Sequence, residues 1–158
     1  MRNIAGWIGG DKKRFSELIE IFLHGAKKTS QMAGWALSYC AEAHPELIVP
    51  HIKKLLKKTQ DTKAHNSAKR HVIRVLQYIN IPEKDAGFAA QVCFDFLADK
   101  NEEVAIRVFS MTVLFNLVKR EPGLKNELKL LIEENINLEK AAFKSRGRKI
   151  LTALEKMK

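Results

Sequence analysis

Apolar side chains recur at spacings of three and four residues along almost the whole chain. This spacing places them on one face of a helix, and no stretch shows the strict alternation of a half-buried strand. The pattern predicts eight helices joined by short loops, as in antiparallel helix pairs. Their expected bounds are about 11–25, 30–43, 45–58, 64–80, 82–98, 101–120, 123–135 and 139–156.

Several residues mark where these helices are expected to begin. Asp11 follows two glycines and has the side chain of an N-cap. Pro45 and Pro82 suit the first turns of the third and fifth predicted helices. Asp99, with Glu102 three residues later, predicts a capping box before the sixth helix. That sixth helix is apolar on nearly every side, so we expect neighbours to pack against it from several directions.

The predicted second helices of successive pairs share a position with nearly constant offsets of 35, 37 and 39 residues. The residues at this repeat-equivalent position are Trp35, Arg70, Arg107 and Arg146. A small residue lies two positions earlier in three of the four helices, at Ala33, Ala68 and Ala105. A repeat of this length with two helices per unit is typical of an α-solenoid.

The two middle units resemble HEAT repeats. The clearer one runs through residues 47–58, where Pro50 is expected to kink the first helix, and continues through Asp61 into residues 68–76. Residues 99–107 resemble the HEAT turn and the start of a second helix. The resemblance implies an all-α fold, an α-α superhelix (solenoid) of about four HEAT-like helix pairs.

The resemblance extends over about residues 11–156 and gives the expected organisation of the chain. We expect a single HEAT-like repeat domain over residues 1–158, in which residues 1–10 form an N-terminal cap or a tail. The expected repeats are about 11–43, 45–80, 82–120 and 123–156.

The formal net charge of +10 is unevenly distributed. Residues 1–80 carry a net +8 and residues 140–158 a net +6, whereas residues 81–139 carry a net −4. This clustering predicts either an anionic partner or a solvated basic face. The candidate binding residues are Lys53, Lys57, Lys63, Arg70, Arg74, Lys140, Lys144 and Arg148. One expected stripe on the fourth helix holds Lys63, Arg70, Arg74 and Gln77.

The HEAT resemblance implies a non-catalytic binding or scaffold module, for which a protein partner is the favoured expectation. The alternative is a nucleic-acid-associated protein that contacts phosphates without reading bases. No apolar run approaches the roughly 18–20 residues that span a bilayer, so we expect no integral membrane association and a cytoplasmic protein.

Motifs for catalysis or cofactor binding are not found in the sequence, and we expect no cofactor and no metal site. Cys40 and Cys93 lie in apolar helical stretches and are expected to be buried free thiols. Trp35 and Tyr39 are one helical turn apart. Some HEAT-like alkylpurine DNA glycosylases use aromatic side chains with an Asp in a cleft. Glycosylase-like activity is therefore an alternative, and it is the least favoured one. The structural interpretation of Trp35, as opposed to a role in catalysis, is that it packs in the core or between repeats.

Overall fold

The computed structural model describes residues 1–158, which form nine α-helices and no strand. The helices are α1 (Arg2–Ile8), α2 (Lys12–His24), α3 (Lys27–Ala43), α4 (Ile52–Thr59), α5 (Asn66–Leu76), α6 (Glu83–Ala98), α7 (Val104–Val118), α8 (Lys125–Asn135) and α9 (Ala141–Lys156). Short 3₁₀ turns lie at Pro45–Leu47, Val49–His51 and Pro122–Leu124. The all-α prediction is therefore confirmed.

The first ten residues contain a helix, α1, that was not among the eight predicted. It packs against α3 and buries Ile8, whereas Trp7 remains 60% exposed. The α1 helix ends at Gly9, whose φ of 52° lies in the left-handed region that favours glycine. The predicted N-cap of the next helix is confirmed, because the Asp11 carboxylate accepts the Arg14 backbone N–H at 2.9 Å.

The third predicted helix is wrong over its first half. Instead of one kinked helix from Pro45, the chain forms two 3₁₀ turns, and α4 begins only at Ile52. Pro45 and Pro50 are both in these turns. Proline has no backbone N–H, and its ring clashes with the carbonyl four residues earlier, so an α-helix cannot run undisturbed through Pro50.

The predicted capping box before the sixth predicted helix is also wrong. The helix, α7, starts at Val104, and Glu103 occupies the N-cap position without a side-chain cap. Asp99 instead accepts the backbone N–H of Asn101 at 2.9 Å, and Glu102 accepts that of Glu103 at 2.9 Å. These local side-chain hydrogen bonds hold the segment as a turn, which delays the helix.

The chain divides into two compact units, residues 1–85 and residues 86–158. In the first unit α3 packs against α1, α2 and α5, and α4 packs against α5. In the second unit α7 packs against α8 and α9. No residue of α7 is exposed, as its apolar circumference predicted. Cys40 and Cys93 are buried free thiols, as predicted.

Candidate functional site

Helices α3 and α5 lie side by side in the first unit and define the candidate site. Gln31 of α3 donates its side-chain amide to the Ser67 hydroxyl of α5 at 3.3 Å. One turn further along, Gly34 faces the ring of His71 so closely that a Cβ at Gly34 would lie 2.4 Å from the His71 Cδ2. The glycine thus permits a close approach of the two helices.

Trp35 forms the centre of this face. Its ring meets His71 edge-on, with centroids 5.0 Å apart, and the Arg74 guanidinium lies 5.1 Å from its centroid. Despite these contacts, Trp35 is 42% exposed. These contacts favour the interpretation of Trp35 as a residue between helix pairs over that of a core residue. The result is an exposed aromatic ring with an arginine held against it.

A second cationic and aromatic pair follows one turn along α3. The guanidinium of Arg2, from α1, lies 5.3 Å from the ring centroid of the half-buried Tyr39. The spacing of Trp35 and Tyr39 was visible in the sequence, since i and i+4 share a helical face. The role of Arg2 was missed, because no local pattern places a residue of α1 beside α3.

His71 lies beneath the same face and is 2% exposed. Both of its ring nitrogens are buried without a hydrogen-bond partner. Burial, together with the positive charges of Arg70 and Arg74, lowers the pKa of His71 to about 4. The imidazole is therefore neutral at neutral pH, where it packs edge-on against the rings of Phe22 and Trp35.

The predicted basic stripe on the fourth helix is only partly correct. Arg70 and Arg74 lie on α5, but Lys63 lies in the loop before it and Gln77 is its C-cap. The α5 helix starts at Asn66, because the His65 side chain accepts the Ser67 backbone N–H at 3.2 Å and caps the helix there. Lys63 comes before this cap, in the loop, and therefore lies outside the helix that carries the two arginines.

The remaining predicted binding residues lie on other elements. Lys53 and Lys57 are exposed on α4. In the second unit, Lys140 is the N-cap of α9, while Lys144 and Arg148 lie within that helix. The expectation that these residues bind an anionic partner stays a prediction.

The four repeat-equivalent residues occupy different environments. Trp35 is exposed, whereas Arg70 and Arg146 are half-buried, the latter donating to the Thr112 hydroxyl. Arg107 is only 1% exposed. Their equivalence along successive repeats stays a prediction.

Arg107 satisfies the end of a neighbouring helix. Its Nε and Nη2 donate to the carbonyl of Leu97 at 3.1 and 3.0 Å, and its Nη1 donates to the Glu139 carboxylate. Its guanidinium also lies 4.9 Å from the ring centroid of Phe143. Arg107 is therefore a structural residue of the second unit.

Other chemistry is sparse. The structure brings together no group of three or more His, Cys, Asp or Glu side chains that would suit a metal ion. None of the helices has the length and apolar character needed to cross a bilayer.

Comparison with known proteins identifies the family of the chain. The family model described as the HEAT repeat domain matches residues 1–154. No curated protein and no solved structure matches the chain.

Proposed function

Because this chain belongs to the HEAT repeat domain family, we propose that it is a non-catalytic binding module that holds an acidic segment of a protein partner on the α3–α5 face. HEAT repeats form helical scaffolds that commonly mediate protein interactions. The single observation that carries the proposal is the exposed Trp35 with Arg74 against its ring.

An arginine that stacks on an aromatic ring is already oriented for binding. Its planar guanidinium keeps N–H donors at its edge that match the two oxygens of a carboxylate. The ring of Trp35 limits the orientations of Arg74, so less side-chain freedom is lost when a carboxylate binds. Trp and Arg are also the residue types that contribute most often to the energy of protein interfaces.

The charge distribution supports the same class of partner. Residues 1–80, which contain both α3 and α5, carry a net +8. A field of this sign raises the rate at which an acidic segment encounters the face, and salt screens it. Binding of the proposed partner is therefore expected to weaken as the ionic strength rises.

Nucleic acid is the second candidate, and a specific observation favours it. An exposed aromatic ring beside arginine is also the combination on which unpaired bases stack while cations contact the backbone. Trp35 with Arg74 and Tyr39 with Arg2 give two such pairs along α3. In this alternative the phosphates, and not carboxylates, pair with the arginines.

The test compares two labelled probes by fluorescence anisotropy, an acidic peptide rich in Glu and a mixed-sequence single-stranded DNA, at low and moderate salt. We expect Arg74→Gln to weaken the peptide complex about tenfold, equivalent to about 1.4 kcal/mol, and Trp35→Ala to weaken it similarly. The control Lys149→Gln removes one charge from an exposed residue of α9 in the other unit.

The outcomes separate the two candidates. Preferential peptide binding that depends on Trp35 and Arg74 supports the proposal. Preferential binding of the single-stranded DNA, with a salt slope that Arg70→Gln/Arg74→Gln flattens by up to about 1.4 units, favours nucleic acid. The protein-partner proposal is rejected if the peptide is not bound, or if the control weakens its binding as much as Arg74→Gln does.

A further inference from the structure

We propose that a cleft in the first unit, lined in part by the first turns of α3 and α5, binds a phosphate monoester, an inference that does not depend on the partner proposed above. The cleft has a volume of about 600 Å³. Its walls come from the end of α2, the start of α3, the end of α4 and the loop before α5. We call it the lysine cleft, after the three lysines that line it, Lys27, Lys58 and Lys63.

The positive charge of the lysine cleft is largely uncompensated. Its lysines come from three different segments of chain, and no carboxylate lines it. The Lys58 ammonium donates to the carbonyl of Leu23 at 2.9 Å and lies 3.9 Å from the Asp61 carboxylate, which is outside the cleft. No carboxylate forms an ion pair with Lys27 or Lys63. An anion in the cleft would therefore meet two unpaired ammonium groups.

The start of α3 adds to this charge. Its N-cap is Ala26, which provides no side-chain cap, and its first turn carries Lys27 and Lys28 but no acidic residue. The positive end of the helix dipole disfavours cations and favours anions, so these lysines oppose the dipole. An anion bound in the lysine cleft would be attracted by the lysines and by the helix end together.

The polar lining provides further hydrogen-bonding groups. The buried Ser67 hydroxyl and the Gln31 amide, already bonded to each other, both line the cleft. Asn66 lies beside them at the start of α5. These groups line the cleft together with the three lysines.

The chemistry points to a phosphate monoester. At neutral pH such a group carries about −1.5 to −2 charges and three acceptor oxygens, which suits several ammonium groups better than a single carboxylate does. Lysine binds phosphate as a point charge. The volume falls in the range of small-ligand pockets, roughly 300–1,000 Å³, and so leaves room for the organic part of the ester. That part is either a free small molecule or a phosphorylated serine on a peptide.

The test is an NMR titration of the ¹⁵N-labelled chain of residues 1–158 with O-phosphoserine, and with serine, which lacks the phosphate group, as the control. We expect saturable shifts of the amides that line the cleft, among them those of Lys27, Lys63 and Ser67, with phosphoserine only. The variant Lys27→Gln/Lys63→Gln should bind about tenfold more weakly, which corresponds to about 1.4 kcal/mol. Lys58 is left unchanged because it bonds to the end of α2.

The matched control is Lys149→Gln/Lys156→Gln, which removes two charges from exposed positions of α9. Thermal unfolding of both double variants shows whether each one folds. Weaker binding in the cleft variant alone supports the proposal. A phosphoserine peptide that binds much more tightly than O-phosphoserine identifies a protein as the source of the group, whereas equal affinities identify a small molecule.

Three results would overturn the inference. One is the lack of saturable shifts, another is shifts that lie outside the lysine cleft, and the third is equal weakening in both double variants. None of these bears on Trp35 or Arg74, so this inference and the proposed function can fail separately.

Discussion

At the scale of single residues, two buried polar side chains show opposite solutions to the same problem. Burial of a polar group costs free energy unless it is hydrogen-bonded. Arg107 has partners for its guanidinium in Leu97 and Glu139, whereas His71 has none for either ring nitrogen. The two residues should therefore respond differently to substitution.

Acid should destabilise the protein through His71. Its pKa is about 4 in the folded chain and 6.5 ordinarily, so the unfolded chain binds more protons between these values. The free energy of unfolding is then at its full value above about pH 6.5. It falls by about 3 kcal/mol in all as the pH drops toward 4. Urea unfolding at a series of pH values measures this loss.

The variant His71→Leu should lose most of the pH dependence in that range, because leucine does not titrate. The exposed His24 provides the control, and His24→Gln should keep the dependence of the original chain. If the free energy of unfolding depended on pH equally in the two variants, the assignment of this dependence to His71 would be contradicted.

Removing Arg107 should be costly. Arg107→Ala leaves the Glu139 carboxylate, which is 15% exposed, and the Leu97 carbonyl without their partner. We expect a loss of about 3–5 kcal/mol in the free energy of unfolding. In Arg107→Met/Glu139→Gln no charge is left unpaired, so a smaller loss is expected in the same denaturant titration. A double variant as unstable as Arg107→Ala would argue against the ion-pair explanation.

At the scale of helices, the close approach of α3 and α5 depends on a residue without a side chain. Gly34→Ala should destabilise the chain by about 1–3 kcal/mol, although alanine favours helices. The reason is that its Cβ would lie 2.4 Å from the His71 ring. Thermal unfolding measures the effect.

The matched control is Gly87→Ala in α6, where nothing lies within 4 Å of the added Cβ. This substitution should stabilise the chain by about 0.5–1 kcal/mol. Adding His71→Ala should reduce the cost of Gly34→Ala, because the clashing ring is gone. If Gly34→Ala stabilises the chain as Gly87→Ala does, the two helices lie further apart than described.

The α7 helix should be the most sensitive to loss of side-chain volume. Leu114 is fully buried, and Leu114→Ala should reduce the free energy of unfolding by about 2–5 kcal/mol. Phe109 is only half-buried, so Phe109→Ala should cost less than its size suggests. Denaturant unfolding measures both. A loss below about 1 kcal/mol at Leu114 would contradict its burial.

At the scale of the whole molecule, the sequence predicted the fold well and the site less well. The all-α fold and the resemblance to HEAT repeats are confirmed, since helical periodicity is a local signal that survives along the chain. The predicted start of α4 was wrong, because Pro50 disturbs an α-helix even where the apolar pattern favours one. The lysine cleft was not predicted, because it brings together Lys27, Lys58 and Lys63 from three separate segments of the chain.

The two buried cysteines have a practical consequence. Burial raises the pKa of Cys40 to about 11 and that of Cys93 to about 12, so well under one thiol in about a thousand is ionised at neutral pH. An alkylating reagent then reacts chiefly when local opening admits it. Cys40 lies in the first unit and Cys93 in the second. The labelling rates of the two cysteines, measured by mass spectrometry, would report how often each unit of the native chain opens locally, without any engineered probe.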